Sequence, residues 1–345
     1  MKALITGASG FLGSHIVDAS LAQGDEVRAL VRATSDLSYL RSLRGIEFVH
    51  GDVTDAVSID TATRGVDVVY HSAARVADYG SRRAFWEANV AGTERLLAAA
   101  ARNGVRRFVF VSSPSVVGDG RDQIDIDERH PYPTHYLNFY SETKALAEQR
   151  VLRANSSRMM TCALRPRGVW GPRDKTGWLP KIVEAMARGR MLDLSFGREV
   201  YATLCHAENA ARACILASRS EAVGGNAYFI TDGEATNVWS FARVLADRFG
   251  VAPPRKKLPA SIVWALVEVV EALWRLPMLG HRRAPPVSRY AVSLLSRSGT
   301  YDIGAARRDL GYSPRIAPAT GMDQLMAWVR SIGGVDAFIG HVRHG

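Results

Sequence analysis

A glycine-spaced turn, Thr6-Gly7-Ala8-Ser9-Gly10-Phe11-Leu12-Gly13, follows directly on a short apolar run, Lys2–Thr6, at the start of the sequence. No other stretch constrains the fold as much. A glycine at the first position lets the backbone turn tightly off a strand. The second admits another group close to the backbone, and the third lets the following helix pack on the strand. Residues 11–22 carry apolar side chains at helical spacing, so the turn joins a strand to a helix and leaves its first amides facing outward. A lone glycine triplet occurs in many plain turns. Placed after a strand and before a helix, this one reads as a cradle for a dinucleotide pyrophosphate, with Gly7, Ser9, Gly10, Phe11, Leu12 and Gly13 as its contacts.

The rest of the chain repeats the strand–helix theme. Glu26–Val31, Ile46–His50 and residues 66–71 read as strands, with a short helix near Ile59. Residues 84–103 form a long Ala-rich helix. The strand 107–112, the helix 137–155 and the strand Met160–Pro166 follow. This alternation predicts an α/β chain with a Rossmann-type doubly wound parallel sheet and ligands at the strand C-termini. Residues 118–133, rich in Asp, Gly and Pro, read as a loop. Beyond Arg167 the regularity loosens, with 177–189 and 207–218 helical, 199–206 extended, 226–230 a strand and Val238–Phe249 an amphipathic helix. Residues 1–166 are accordingly assigned to the nucleotide-binding domain, completed by a strand and helix within 200–232. Residues 167–199 and 233–335 are assigned to a smaller mixed α/β C-terminal substrate domain, and 336–345 to a tail.

The formal charge of +10 excludes less than it suggests. The basic residues are dispersed in short pairs such as Arg82-Arg83, Arg106-Arg107 and Arg282-Arg283. No basic stripe with interleaved aromatics appears, so nucleic acid is not the expected partner. A phosphate-bearing cofactor or an acidic substrate uses the same field. Cys162, Cys205 and Cys214 lack metal-ligand spacing and read as core thiols of a reducing compartment, with no metal site. Met1-Lys2 runs straight into a strand, which leaves no room for a signal peptide and predicts a cytoplasmic protein. Residues 258–280 are apolar on more than one helix face, but Glu268, Glu271 and Arg275 interrupt them. That stretch is too short and too charged to span a bilayer. It reads as a packed helix, a lid over an apolar substrate, or a peripheral contact with the inner membrane face through Arg255-Lys256-Lys257 and Arg282-Arg283.

The end of the second strand discriminates between cofactors. An acidic residue there would hold the adenosine ribose hydroxyls, but the chain has Val31-Arg32-Ala33-Thr34-Ser35. Arg32 has the planar fork for a 2′-phosphate, so NADP(H) is favoured, with NAD(H) the alternative. Asp52 after the third strand is placed to accept from the adenine amino group. Small residues at Ser72-Ala73-Ala74 would let a dinucleotide lie against the backbone.

Tyr140 and Lys144 stand one helical turn apart and share a face. A nearby ammonium favours phenolate, which would lower the tyrosine pKa from about 10 toward working pH. Tyr140 would then act as general acid toward a ketone or base toward an alcohol. Ser113, at the end of the fifth strand, can orient the substrate oxygen, and Lys144 can also hold the nicotinamide ribose. Alone, a Tyr-x-x-x-Lys pair arises readily by chance. Behind the glycine turn and a strand-end serine it predicts hydride transfer at a secondary alcohol or ketone.

In this order, the segments resemble the extended short-chain dehydrogenase/reductase superfamily (the NAD-dependent epimerase/dehydratase fold), over roughly residues 1–330. The matching segments are the glycine turn, Gly51-Asp52-Val53, His71-x-Ala73-Ala74, Asn89-Val90-x-Gly92-Thr93, Ser112-Ser113, Tyr140-x-x-x-Lys144 and Leu164-Arg165-Pro166. Within it the chain is most similar to the 3β-hydroxysteroid dehydrogenase-like branch. That likeness rests on Arg165-Pro166-Arg167-Gly168-Val169-Trp170-Gly171-Pro172, Tyr228-x-x-x-Asp232-Gly233-Glu234, Pro285-Pro286-Val287-Ser288-Arg289-Tyr290 and residues 306–314. The resemblance implies a catalytic group of Ser113, Tyr140 and Lys144, with Val53, Ala73, Ala74 and Pro166 along the cofactor. It also implies Asn89 as a support of the active-site backbone and a homodimer through residues 84–103 and 137–155. Its substrate would be small and apolar, either a 3-oxo or 3β-hydroxy sterol or a 2-alkyl-3-oxoacid of the kind reduced in bacterial long-chain olefin synthesis. Arg167 could meet a substrate carboxylate, and Ser115 is a further substrate candidate. In two places the chain departs from its relatives: Val31-Arg32 replaces an acidic residue, and Cys205-His206 stands where an aspartate usually precedes the Asn209 helix. His206 reads as structural. A nucleotide-sugar epimerase or dehydratase is the alternative, and a non-catalytic NADP-binding regulator the second.

Overall fold

The protein is described by a computed structural model that covers residues 1–77, 79–175, 177–274 and 285–340. Arg275, Arg282-Arg283 and the end of the tail lie outside the described residues. Seven parallel strands form the main sheet: β1 (Lys2–Thr6), β2 (Glu26–Val31), β3 (Ile46–His50), β4 (Val68–His71), β5 (Arg107–Val111), β7 (Met160–Pro166) and β11 (Ala227–Ile230). Their order is β3-β2-β1-β4-β5-β7-β11, so the winding reverses between β1 and β4. At that reversal the loops leaving β1 and β4 diverge and open a crevice at the strand C-termini. The interior of β1 is wholly apolar, and Ala3, Leu4 and Ile5 are fully buried because helices cover both faces.

On one face α1 (Phe11–Leu21) packs against α8 (Ala207–Arg219), burying Ile16, Val17, Ala210 and Cys214. On the other, α3 (Ala56–Thr63), α5 (Gly92–Arg102) and α6 (Phe139–Arg153) bury Ile59, Leu96, Ala147 and Val151. Stretch 200–232 thus supplies the main sheet with its last strand and one covering helix. The helix expected over 84–103 is not uniform. Arg82–Phe85 is α-helical, Trp86–Ala91 widens into a π-helix, and α-geometry resumes at Gly92. The widening leaves Asn89, 2% exposed, turned into the core. The loop expected over 118–133 holds β6 (Gln123–Ile126), which is short and half polar because only one edge of it is paired.

β6 belongs to a four-stranded mixed sheet ordered β12-β9-β13-β6, with β9 (Tyr201–Thr203), β12 (Ala235–Asn237) and β13 (Gly299–Tyr301). The expected extended run 199–206 splits between sheets: its second half, β10 (Cys205–His206), pairs with β8 (Val169–Trp170). A separate core of Trp170, Leu179, Val183, Phe249, Leu325 and Phe338 lies under α7 (Trp178–Ala187), α9 (Val238–Phe249) and the helix Pro318–Ser331. The greasy segment is described as α10 (Ala260–Trp274), which buries Val263, Val267 and Val270. Residues 275–280 of that segment lie outside the described residues.

Candidate active site

The glycine turn divides its labour among three positions. Gly7 has φ +71°, and a side chain there would stand 2.8 Å from the Ala73 nitrogen, so the turns after β1 and β4 touch. A side chain at Gly13 would stand 2.0 Å from the Gly7 carbonyl oxygen, which fixes the helix against the turn. Gly10 differs: it has ordinary extended dihedrals, and a side chain there would meet only the Gly7 oxygen, at 3.1 Å. No side chain caps α1, so its first amides, at Phe11, Leu12 and Gly13, project toward the open side of Gly10. An anionic pyrophosphate satisfies such amides, and the cradle therefore fits a dinucleotide.

The adenosine end is built less completely. Arg32 is exposed, its backbone N–H donates to the Ser35 hydroxyl at 3.1 Å, and its guanidinium has no ion pair among the described residues. Asp36 is paired with Lys175 at 2.8 Å, which holds its carboxyl well below the usual range. Asp52 accepts from the Thr54 N–H and hydroxyl at 2.9 and 2.8 Å through one oxygen. Only its second oxygen is left for an adenine. Val53 packs on Gly92, 3.2 Å from where a side chain would begin. Ala73 and Ala74 lie partly buried beside Gly7, and Pro166 closes β7 opposite Ile230.

Behind the crevice runs a buried chain of hydrogen bonds. His71, fully buried, contacts the Thr6 hydroxyl at 2.7 Å and the Thr93 hydroxyl at 2.9 Å. Burial pushes the imidazole down to about 3, so it stays neutral. Asn89 clamps the backbone of Arg75, accepting from its N–H at 2.7 Å and donating to its carbonyl at 3.2 Å. It also donates to Thr143 of α6 at 3.0 Å.

α6 begins at Asn138, whose side chain accepts from the Ser141 N–H at 2.8 Å and so sets the first turn that carries Tyr140. Tyr140, Lys144 and Glu148 share one face of the helix. The electrostatics differ from the expected ammonium–phenolate pair. The Lys144 amine, 2% exposed, donates to the Val111 carbonyl at 2.5 Å and sits 3.8 Å from the centre of the Phe110 ring. Its tip is thus engaged by β5 rather than by the phenol. Burial pushes Lys144 down to about 7, with the buried Glu148 acting in the opposite direction. Burial pushes Tyr140 up to about 12, with the neighbouring Ser113 hydroxyl acting in the opposite direction. Desolvation, which the sequence pattern does not reveal, is the leading cause of both shifts.

Ser113 starts a single 3-10 turn, Pro114–Val117, and accepts from the Ser115 N–H at 3.2 Å. The hydroxyls of Ser112 and Ser115 are buried without a partner. The sequence reading missed the support behind Lys144. Glu148 and Arg165 form a buried ion pair at 2.7 Å, and Tyr132 donates to Glu148 at 2.6 Å. The i,i+4 step from Lys144 to Glu148 was the available signal. His206 caps α8, its backbone N–H donates to Asp232 at 2.8 Å, and burial holds its ring neutral at about 4. That is a structural post at the base of α8. Among the described residues no group of His, Cys, Asp or Glu could hold a metal.

Comparison with known proteins shows the family and the fold. The sequence profile of the 3-beta hydroxysteroid dehydrogenase/isomerase family matches residues 4–260. The chain is 36% identical, over 94% of its length and 96% of the relative's, to a 4-hydroxy-2-methyl-3-oxo-4-farnesyl-3,4-dihydroquinoline-1-oxide ketoreductase of Stigmatella aurantiaca. It is 34% identical, over 95% and 99%, to a 2-alkyl-3-oxoalkanoate reductase of Stenotrophomonas maltophilia. A solved dTDP-glucose 4,6-dehydratase of Streptomyces venezuelae with NAD bound superposes with a TM-score of 0.75 at 26% identity, covering 96% of this chain and 97% of that one. The chain therefore belongs to the 3-beta hydroxysteroid dehydrogenase/isomerase family, NAD(P)-dependent oxidoreductases acting on CH–OH groups, built on the extended short-chain dehydrogenase/reductase fold.

Proposed function

We propose that the chain interconverts a ketone and a secondary alcohol on an apolar substrate, with Tyr140 as general acid or base, and that it takes NADPH before NADH. The observation that carries this reading is the placement of Tyr140 and Lys144 one helical turn apart on α6, with Ser113, just past the end of β5, beside the phenol. When bound in the Gly7–Gly13 cradle, the dinucleotide supplies or accepts the hydride. The proton is the chain's task. A phenol held at about 12 keeps its proton at neutral pH, so Tyr140 is an acid that yields only as negative charge develops on the substrate oxygen. Ser113 would donate to the same oxygen and fix its position. Lys144 would hold the nicotinamide ribose, and in its charged form would favour the phenolate left after proton transfer.

The names of the relatives support a ketone on an apolar framework, either a sterol or a 2-alkyl-3-oxoacid. Preference for NADPH is supported by the unpaired Arg32 and the absence of an acidic residue at the end of β2. We also infer a homodimer through α5 and α6, near which Trp86 and Phe139 are 37% and 41% exposed, to be checked by sedimentation equilibrium. A peripheral lipid contact is supported by α10. Ile262, Leu266, Val269 and Leu273 form an apolar ladder, 44 to 57% exposed, beside exposed Arg255 and Lys256. No described helix is long and apolar enough to cross a membrane.

The decisive experiment is Tyr140→Phe, assayed by NADPH consumption against sterol ketones, 2-alkyl-3-oxoacids and nucleotide sugars. The variant should lose at least about 100-fold in kcat while NADPH affinity stays near wild type. Retained activity would remove Tyr140 from the chemistry. Turnover of a nucleotide sugar without net cofactor consumption would favour an epimerase or dehydratase instead.

A further inference from the structure

At the substrate end of the parallel sheet stands a cation without a counter-charge. Arg28, Arg165 and Arg173 are all withdrawn from solvent, and each meets a carboxylate, at 3.0, 2.7 and 2.6 Å. Arg167 is also partly buried, yet its guanidinium has no ion pair or hydrogen bond among the described residues. It lies against the backbone of Gly299, with Nη2 2.9 Å and Nε 3.4 Å from where a side chain at 299 would begin. It also sits over the Tyr301 ring, 5.8 Å from its centre. Nε is buried with no partner. A side chain at 299 would displace the arginine tip from this place. Arg28 and Arg165 also leave one buried N–H unmet, but each is neutralised by a carboxylate; of these arginines Arg167 alone lacks one, and that points to an anionic ligand.

Its place in the sheet ties this cation to the proton-transfer group. β5 and β7 are parallel neighbours with Val111 opposite Leu164, and the Ser112 N–H donates to the Leu164 carbonyl at 2.6 Å. Ser113 and Arg167 therefore leave the ends of adjacent strands, spaced laterally by about 4.8 Å. One wall continues between them. Tyr301 donates to Gln123 at 2.9 Å, and Gln123 donates to the Val117 carbonyl at 2.7 Å, at the end of the turn that Ser113 begins. On that turn the Ser115 hydroxyl is also buried and unpartnered. A guanidinium fork presents two parallel donors to a carboxylate, and a hydroxyl adds a third. In a 3-oxoacid the carboxyl group is only two bonds from the reacting carbon, so donors leaving neighbouring strands can each reach one of the two.

We infer that Arg167, with Ser115 beside it, binds a carboxylate on the substrate, so that the chain acts on 3-oxo and 3-hydroxy carboxylic acids ahead of neutral ketones and alcohols. This deepens the reductase reading and rests on it. The test compares wild type, Arg167→Gln and Arg167→Lys on three substrates: a 2-alkyl-3-hydroxyalkanoic acid, its methyl ester and a 3β-hydroxysterol. Oxidation is followed by NADP+ reduction, and calorimetry measures binding of the hydroxyacid directly. Wild type should favour the acid over its ester. Arg167→Gln should raise KM for the acid about 10- to 100-fold, with kcat changed less than about threefold and the ester unaffected. Arg167→Lys should recover part of the loss. The guanidinium makes no ion pair and only packs against Gly299 and the Tyr301 ring, so Arg167→Gln should lower the unfolding temperature by no more than about 2 °C; a marked fall would mean a structural role and overturn the assignment. Equal use of acid, ester and sterol by wild type would leave the reductase standing and remove the carboxylate site. Binding of the acid that depends on Arg167, with no oxidation of any substrate, would do the reverse.

Discussion

Two glycines of the same turn, Gly10 and Gly13, separate cofactor binding from folding. At Gly13 an added methyl would sit 2.0 Å from the Gly7 oxygen and 2.7 Å from its carbonyl carbon. Neither atom can retreat, because Gly7 is held at φ +71° against Ala73. Gly13→Ala should therefore cost about 3 kcal/mol or more, a fall of about 6 °C at ~2 °C per kcal/mol for a chain of this size. Gly10 has φ −80° and ψ 172°, which any residue adopts, and its added methyl meets only the Gly7 oxygen at 3.1 Å. Gly10→Ala should cost about 0.5–1 kcal/mol as an N-cap change, or about 2 °C. That methyl, however, stands in front of the amides of Phe11 and Leu12, where the pyrophosphate must come close. Displacing the phosphates by part of a methyl radius should cost about 2–3 kcal/mol of binding, or about 30- to 150-fold in Kd. Thermal unfolding and a fluorescence titration with NADPH measure the two effects separately. A Gly10→Ala variant that folds normally and binds NADPH as wild type does would refute the placement of the pyrophosphate.

The remaining predictions concern the edges of the site. Arg32→Glu should raise KM for NADPH about 100-fold or more while NADH is used as well as before, since the change removes a charge-assisted contact and adds repulsion to a 2′-phosphate. An unchanged NADPH:NADH ratio in steady-state kinetics would mean that Arg32 is a solvated surface residue. Leu266→Glu, in the middle of the exposed α10 ladder, should abolish co-sedimentation with phosphatidylglycerol vesicles and leave kcat on a water-soluble substrate unaltered. Wild-type protein that fails to sediment with those vesicles would remove the lipid contact.

Much of the main sheet was readable because its signals are local. The glycine turn, the buried runs of β1 and β5 and the helical spacing of α1 each lie within a dozen residues, so burial on two faces leaves a mark in the sequence. β6 left none. It pairs with β13 across more than 170 positions, and its Gln123 and Asp125 are chosen by those partners: the Tyr301 hydroxyl meets Gln123, and the Asp125 N–H donates to Thr300. The π-helical widening at Trp86–Ala91 was equally silent, since it answers to what Asn89 must reach in Arg75 and Thr143. At the site, residue types and order singled out Ser113, Tyr140 and Lys144 as candidates. The state of the pair was not legible, because spacing reports which charges are near and says nothing of how much water is lost.

The hydrogen bonds behind the crevice show how the two halves of the site are held in register without spending charge. The Ala73 N–H donates to the Thr6 hydroxyl, and the Thr93 hydroxyl donates to the Asn89 carbonyl at 2.7 Å. With Thr93 committed as donor, it must accept from His71 Nε2, and His71 Nδ1 must then accept from Thr6. One tautomer alone satisfies the whole series. It leads from the glycine turn through β4 to α5, and Asn89 carries it on to Thr143, which donates to the Phe139 carbonyl at the start of α6. Each link is neutral, so none titrates near pH 7 and none bears a desolvated charge; the imidazole stays uncharged down to about 3. A lysine or carboxylate in the same position would need a counter-ion and would shift as the cofactor's charge arrived. A neutral relay transmits position and ignores charge, and that leaves the buried amine of Lys144 as the group whose ionisation can respond to what binds in the crevice.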